Sequence, residues 1–326
     1  MKQFKKILCV AKPGEACKKM LERAVTLAKN NQAELTVIDL VPRITAGIGM
    51  PEGGPISADL QAALVKEHAQ ELETLLEPYR KQIKIETNIL IGTPFLEIIR
   101  EVLRNGCDLV IKILEPQDWL NRLFGSDDMH LLRKCPCPVW LIKPHAPKIH
   151  RHILAAVDVG DEYPQSEQES RHTLNRQILE MASSVALSDF AEMHIAHAWE
   201  VIGESAMRGA FMHAPEEEII AYVEQVRQQH QTSLDGLMRK VSITLGQDAV
   251  GYLKPQIHLL KGSARKEIPA LAKRIEADLV VMGTVARTGV PGFFMGNTAE
   301  TILNQIDCSV LAIKPPGFVT PVTLEE

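Results

Sequence analysis

The segment VVMGTVARTGVPGFFMGNTAETIL, residues 280–303, carries the residues whose types and spacing best suit chemistry. Gly283 ends an apolar run that is typical of a buried strand, and Gly296, Asn297 and Thr298 begin a pattern that is typical of a helix. A strand-to-helix connection usually needs only about two to six residues, and this one is longer. Glycine-rich turns and helix N-termini offer backbone amides to phosphate. The spacing therefore predicts a polyanion site.

Two readings of these residues stay open from the sequence. The missing Cβ atoms of Gly283 and Gly296 would let phosphate oxygens approach the backbone, and the amides of Asn297 and Thr298 would add donors at the positive end of a helix. Alternatively, the glycines serve only turn and helix-packing geometry, and Thr298 is an N-cap.

The elements that must position this segment alternate between strand and helix patterns. Apolar runs typical of buried strands cover residues 153–157, 192–198, 256–260, 279–282 and 309–313. Helical patterns lie between them, near residues 173–186, 215–245, 264–275 and 298–305. This alternation predicts βαβ units and a doubly wound parallel sheet. Ligands bind such sheets at the carboxyl ends of the strands, which is where Gly283 lies.

The same pattern occurs twice along the chain. KKILCVAKPG resembles HRHILAAVDVG, AELTVIDLV resembles AEMHIAHAW, and CPVWLIKP resembles CSVLAIKP, always in the same order. A repeat of this length indicates a duplicated domain. We predict one domain over residues 1–146, a second over residues 150–316, and a C-terminal tail over residues 317–326. The boundary falls in the polar, proline-containing segment KPHAPKIHRH, where we expect few core contacts.

Composition excludes several classes of protein. The 326 residues contain 36 Lys and Arg against 41 Asp and Glu, a net charge of -5, which argues against a general nucleic-acid binder. We find no secretory h-region and no apolar run long enough for membrane insertion. The six Cys do not form a dense disulfide framework. We expect a cytoplasmic protein.

These repeated segments resemble the universal stress protein family, of the tandem two-domain type. Nucleotide-binding members share a glycine, two residues, a second glycine, nine residues, and then glycine with Ser or Thr. Gly283 matches the first glycine and Gly296 the third, whereas Ala286 replaces the second glycine and Asn297 replaces the Ser or Thr. The family's Asp at the end of the first strand is matched by Asp158.

The resemblance implies a fold and a ligand. It implies two flavodoxin-like α/β domains (the adenine nucleotide alpha hydrolase-like fold), each a mostly five-stranded parallel sheet, related by a pseudo-twofold. It implies an adenine nucleotide, ATP with Mg²⁺, in the second domain. The implied nucleotide-binding residues are Asp158, Gly283, Thr284, Ala286, Arg287, Gly296, Asn297 and Thr298. Arg287 would pair with a terminal phosphate, and Asp158 would accept from ribose or orient adenine.

The first copy departs from the family pattern. Lys12 replaces the strand-end Asp, and an Ile-Leu-Glu-Pro run replaces the first glycine and its neighbours. Gly125 and Ser126 survive, followed by Asp127 and Asp128, which we expect to repel phosphate. We therefore expect this copy to be a structural partner, or a site for something else.

The family pairs its final strands across a dimer. We expect residues 139–143 and 310–314 to do this inside one chain as an intrachain pseudo-dimer, with a further homodimer left open. No Ser-His-Asp arrangement, paired carboxylates or P-loop lysine can be assigned, so we expect no enzyme beyond slow, incidental ATP hydrolysis.

An alternative function is a carrier or interaction protein with a vestigial nucleotide loop. The Met- and Gly-rich loops at residues 43–57 and 202–215 would then cover a lipid-like ligand or a protein partner. His145, His150 and His152 match no metal motif, and we expect exposed linker histidines. His194 and His197 should face opposite sides of their strand. We expect Cys9 to be buried, and Cys135 and Cys137 to serve packing.

Overall fold

The computed structural model describes residues 4–12, 15–44, 55–114, 126–160, 164–209, 214–284 and 295–324. Within these ranges the first copy contributes β1 (Lys6–Val10), α1 (Glu15–Asn31), β2 (Glu34–Val41), α2 (Pro55–Arg80), β3 (Ile85–Ile91), α3 (Pro94–Asn105), β4 (Leu109–Ile113), α4 (Ser126–Lys134) and β5 (Val139–Ile142). The second copy contributes β6 (His152–Ala156), α5 (Gln165–Asp189), β7 (Glu192–Trp199), α6 (Glu204–Arg208), α7 (Glu216–Leu245), α8 (Gln247–Leu253), β8 (Gln256–Lys261), α9 (Ala264–Arg274), β9 (Leu279–Gly283), α10 (Asn297–Leu303) and β10 (Ser309–Ile313).

All ten strands form one sheet, in the order β3-β2-β1-β4-β5-β10-β9-β6-β7-β8. Neighbours within each copy are parallel, whereas β5 and β10 are antiparallel, with Leu311 opposite Trp140. Each copy therefore has five parallel strands in the doubly wound order. The predicted fold class and the pairing of the final strands inside one chain are both confirmed.

The strands are apolar because helices cover both faces of the sheet. One core cluster joins alternate strand residues such as Ile7 and Ile153 to α1, α2, α5 and α7. The other joins Leu8 and Leu154 to α3, α4, α9 and α10. Both clusters run through both copies, and Cys9 is fully buried, as predicted.

The predicted elements of the second copy differ from the observed ones mainly at their ends. The strands are shifted or extended by at most about one residue, which is the usual uncertainty of element boundaries. Two short helices, α6 and α8, were not predicted. Ion pairs from Glu204 to Lys261 and from Arg208 to Glu216 hold α6 in the segment we interpreted as a glycine-rich loop.

The end of the linker contradicts the prediction of exposed histidines. His145 is exposed, but His150 is 2% exposed and its Nδ1 lies 2.7 Å from the Asp189 carboxylate. Arg23 of α1 reaches the same carboxylate at 3.0 Å and lies over the Trp140 ring, against which His150 stacks. The linker end is thus fixed between the copies at His150, whereas residues 145 and 147–149 are exposed, as expected for a boundary with few core contacts.

A buried ion pair distinguishes the first copy from the second. Lys112 of β4 and Asp128 of α4 are both almost fully buried, with Nζ and Oδ1 2.7 Å apart. The expectation that Asp128 repels phosphate was therefore wrong, because Lys112 neutralises its charge. The corresponding residues of the second copy, Met282 and Ala299, are buried in the apolar core.

This difference gives a stability prediction. Asp128→Ala should lower the free energy of unfolding by about 3 kcal/mol or more, because it leaves the Lys112 ammonium buried without its carboxylate. The double variant Lys112→Met with Asp128→Ala reproduces the pair found in the second copy and should recover most of that loss. Urea unfolding of the variants measures both effects. A double variant no more stable than Asp128→Ala would contradict the ion-pair explanation.

Candidate functional site

The turn that leaves β9 is shaped by packing at Gly283. A Cβ atom added there would lie 2.8 Å from Cδ2 of Leu174, a residue of α5. The φ of Gly283 is not positive, so the contact with Leu174, and not backbone conformation, favours glycine there. This contact supports a packing role for Gly283, and its predicted role in binding phosphate stays a prediction.

Thr284 joins the two ends of the predicted site. It is fully buried, its amide donates to the Ile313 carbonyl at 3.2 Å, and its own carbonyl accepts from the Gly296 amide at 3.1 Å. One backbone hydrogen bond thus links residue 284 to residue 296. The end of β9 and the start of α10 are held together at the carboxyl edge of the sheet.

The start of α10 is open to solvent. Gly296 is its N-cap, with φ -60° and ψ 135°, and no side chain caps the helix. Asn297 and Thr298 are both exposed. The first amides of a helix have no partner within it and attract negative charge. Arg265 of α9 adds a cation, because its Nε lies 3.4 Å from Thr298 Oγ1. This arrangement suits an anion.

Asp158 lies at the same edge, two residues beyond the end of β6, which pairs directly with β9. Its carboxylate is half exposed and accepts from Arg171 at 2.9 Å and from the Gly160 amide at 3.3 Å. The Asn175 side chain exchanges hydrogen bonds with the Asp158 backbone at 2.6 and 3.0 Å. These contacts fix the position of Asp158 at the carboxyl edge, just beyond the end of β6.

A histidine pair lies beneath this turn. His197 Nδ1 is 3.2 Å from the Val157 carbonyl, and its Nε2 is 2.9 Å from Nδ1 of His230 on α7. Burial lowers the pKa of His197, so the ring is neutral at neutral pH. His194 instead contacts His258 on β8. The two histidines of β7 thus have different partners, as expected for residues facing opposite sides of the strand.

Lys314, immediately after β10, connects this site to the first copy. Its buried Nζ donates to Thr284 Oγ1 at 2.9 Å, and to the carbonyls of Leu132 and Arg133 at the end of α4. Burial lowers the pKa of Lys314 to about 7. Arg133 also pairs with Glu300 of α10 at 2.7 Å. Helix α4 of the first copy is therefore linked to Thr284 through Lys314, and it contacts α10 directly through Arg133.

The structure brings together Thr284, Gly296, Asn297 and Thr298 by direct contact or chain continuity, with Asp158 on the neighbouring strand. Ala286 and Arg287 lie outside the described residues, so their predicted roles stay predictions. We did not single out Arg171, Arg265 or Lys314 from the sequence. Arg171 precedes the helix that we predicted at residues 173–186, whereas α5 begins at Gln165, so the sequence offered no signal for this residue.

The described part of the chain also limits other chemistry. It contains no group of three or more His, Cys, Asp and Glu side chains that could hold a metal ion. None of the helices in these ranges is long and apolar enough to cross a bilayer. Cys135 and Cys137 are buried, with their Sγ atoms 3.6 Å apart.

Gly283→Ala tests the packing explanation. The added methyl should lower the free energy of unfolding by about 1 kcal/mol, since the Leu174 side chain must move. In a Leu174→Ala background the same substitution should cost much less, because the space is then available. Thermal or urea unfolding of the four proteins measures this coupling. Equal costs in both backgrounds would show that Gly283 is required for another reason.

Lys314→Met tests the buried amine through pH. The unfolded chain keeps this proton up to about pH 10.5 and the folded state only up to about pH 7, so folding is favoured as pH rises through that window. The unfolding free energy of the natural protein should therefore rise relative to Lys314→Met by a few kcal/mol. Lys143→Met, at the corresponding position of the first copy, controls for loss of a lysine. Parallel stability profiles for the natural protein and Lys314→Met would contradict the assignment.

Comparison with known proteins places this chain in a family. The model of the universal stress protein family matches residues 3–143 and again residues 150–314. Universal stress protein E of Escherichia coli K12 is 34% identical over 234 residues, covering 72% of this chain and 69% of that protein. The Haemophilus influenzae homolog of that protein is 30% identical over 325 residues, covering 96% and 98%.

Solved structures agree with these matches. A functionally unknown protein from Pseudomonas aeruginosa PAO1 is 26% identical, with a TM-score of 0.67 over 96% of this chain and 93% of that one. A universal stress protein from Archaeoglobus fulgidus DSM 4304, 18% identical, shares the fold with a TM-score of 0.60. The two matches along the chain and the tandem relatives show that this protein belongs to the universal stress protein family, in its two-domain form.

Proposed function

We propose that the second copy binds an adenine nucleotide, ATP with Mg²⁺, and that the protein acts through this binding in a cytoplasmic stress response. The observation that carries the proposal is the hydrogen bond from the Gly296 amide to the Thr284 carbonyl. It brings a strand end and a helix start to one point of the carboxyl edge, where doubly wound sheets receive their ligands. Membership of the family supports the choice of ligand.

Different residues would bind different parts of the nucleotide. The exposed helix start at Asn297 and Thr298 offers amides and a favourable dipole to the phosphates, and Arg265 beside Thr298 adds positive charge. Asp158, just beyond the adjacent strand, would accept a hydrogen bond from a ribose hydroxyl. We assign no protein carboxylate to Mg²⁺. This arrangement would hold a nucleotide, and among the residues that the structure describes we assign no base or nucleophile for rapid hydrolysis.

The first copy is proposed to be the silent partner. Lys12 replaces the strand-end Asp there, and the ion pair of Lys112 and Asp128 fills the space occupied by Met282 and Ala299 in the second copy. Its own loop, residues 115–125, lies outside the described residues. The first copy supplies the strand and helix against which the second copy is packed.

The second candidate function is a carrier for an apolar ligand or a partner protein. An open groove of about 550 Å³ beside α2 favours an amphiphile, because Leu75, Pro78 and Tyr79 line it together with polar and charged side chains, namely Lys18, Glu67, Gln70, Glu71 and Thr74. Identifying the small molecules released when the purified protein is denatured separates the two candidates. Adenine nucleotide supports the first function, and an amphiphile supports the second.

Gly296→Val tests the nucleotide site directly. The backbone at Gly296 has a conformation that any residue adopts, so the fold should persist while the side chain obstructs the phosphates. We expect ATP affinity to fall by about a hundredfold or more, measured by calorimetric titration in the presence of Mg²⁺. Gly125→Val changes the aligned glycine of the first copy and should leave the affinity unchanged. Unchanged binding in Gly296→Val would remove this turn from the site.

A further inference from the structure

Lys314 belongs to the second copy, but its side chain extends to helix α4 of the first copy. Its Nζ is buried among three acceptors: the carbonyls of Leu132 and Arg133 in the first copy, and Thr284 Oγ1 in the second. Carbonyls in the last turn of a helix have no partner within it and carry partial negative charge. The end of α4 is therefore a suitable site for a cation, and the three donors of an ammonium match the three acceptors.

The corresponding lysine of the first copy is arranged differently. Lys143 follows β5 as Lys314 follows β10, but it is one-third exposed and contacts the fully exposed Asp307 carboxylate at 3.0 Å. An exposed pair of this kind contributes little to stability. The duplicated motif thus carries a buried lysine only where it touches the predicted nucleotide turn. This asymmetry parallels the difference between the copies in sequence, because only the second copy retains most of the family's glycine motif.

Thr284 transmits the contact to the site. Its amide, carbonyl and hydroxyl bond to Ile313, Gly296 and Lys314, so all three of its polar groups are fixed. The Gly296 amide, which precedes the exposed helix start, is held by that same residue. A second contact, from Arg133 to Glu300 at 2.7 Å, holds α10 to the same helix of the first copy.

We propose that Lys314 is a positioning residue through which the first copy sets the nucleotide affinity of the second, by holding Thr284 and, through the Thr284 carbonyl, the N-cap Gly296, so that the exposed start of α10 is placed to receive phosphate. The proposal rests on the proposed function and adds a regulatory role to the copy whose own motif is degenerate. Any movement of α4 relative to β10 would displace Lys314, and with it Thr284 and the start of α10.

The protonation of Lys314 is part of this mechanism. An ammonium donates to all three acceptors, whereas a neutral amine has two N–H groups, so one contact must be lost or reversed. The titratable groups that face Lys314 are the Cys135 and Cys137 thiols that follow α4, and the nearby ion pair of Arg133 and Glu300 neutralises itself. The proposal therefore predicts weaker nucleotide binding as the amine loses its proton.

The test uses the full chain and Mg²⁺ with ATP as the probe. Lys314→Met should weaken ATP binding by about tenfold, and Lys143→Met, the matched control, should leave it within about twofold. Thr284→Val removes the hydroxyl at nearly constant volume and should weaken binding similarly. The double variant Lys314→Met with Thr284→Val should bind ATP no more weakly than either single variant. Both substitutions remove the same contact, between Lys314 Nζ and the Thr284 hydroxyl. Additive losses, or full affinity in Lys314→Met, would overturn the proposal.

A pH series distinguishes positioning from a general loss of stability. Between about pH 6 and pH 9, ATP affinity of the natural protein should fall relative to Lys314→Met, because the variant lacks the amine while the titration of ATP is common to both. A constant ratio of the two affinities across this range would overturn the proposal.

Amide hydrogen exchange in the ligand-free protein separates failure of this inference from failure of the proposed function. Lys314→Met should raise exchange at Gly296 and through α10 by about tenfold relative to Lys143→Met. Unchanged exchange would show that Lys314 does not order the turn, and would overturn the inference even if ATP binds. If the natural protein binds no ATP, the proposed function and its regulation both fail, whatever the exchange data show for the turn.

Discussion

The antiparallel pairing of β5 with β10 is the contact on which the rest of the structure depends. A doubly wound half-sheet ends in a strand whose backbone groups on one side lack partners, and such an edge invites association with another chain. Here the last strand of each copy covers the last strand of the other. Both core clusters consequently run through both copies. The pairing also brings α4 of the first copy against the strand end that precedes Lys314.

This pairing allows the two copies to diverge. Because the β5 and β10 edges cover each other once the chain folds, the first copy needs only to fold and to pack against the second. It carries Lys112 and Asp128 where the second copy has Met282 and Ala299. The second copy keeps an exposed helix start at Asn297. A partner with a degenerate motif can still influence its neighbour, since Lys314 crosses the junction between them.

The sequence predicted features that depend on local pattern. Apolar runs placed the strands because parallel strands are covered on both faces, and the resemblance to the family indicated the pairing of β5 with β10. The position of Gly283 at the carboxyl edge of the sheet followed from the order of strands and helices. The burial of His150 did not, since its partners Arg23 and Asp189 come from distant parts of the chain.

The remaining features of the site depend on contacts that sequence spacing does not encode. The contact of Gly283 with Leu174 of α5 depends on the three-dimensional position of that helix, which the spacing of the glycines does not show. Two lysines in identical IKP motifs differ because only Lys314 meets a helix end. The most direct measurement of the central claim is a crystal structure of the protein grown with Mg²⁺ and a non-hydrolysable ATP analogue. We predict the triphosphate against the backbone amides at Asn297 and Thr298; a nucleotide bound in the first copy, or none in either, would contradict the account.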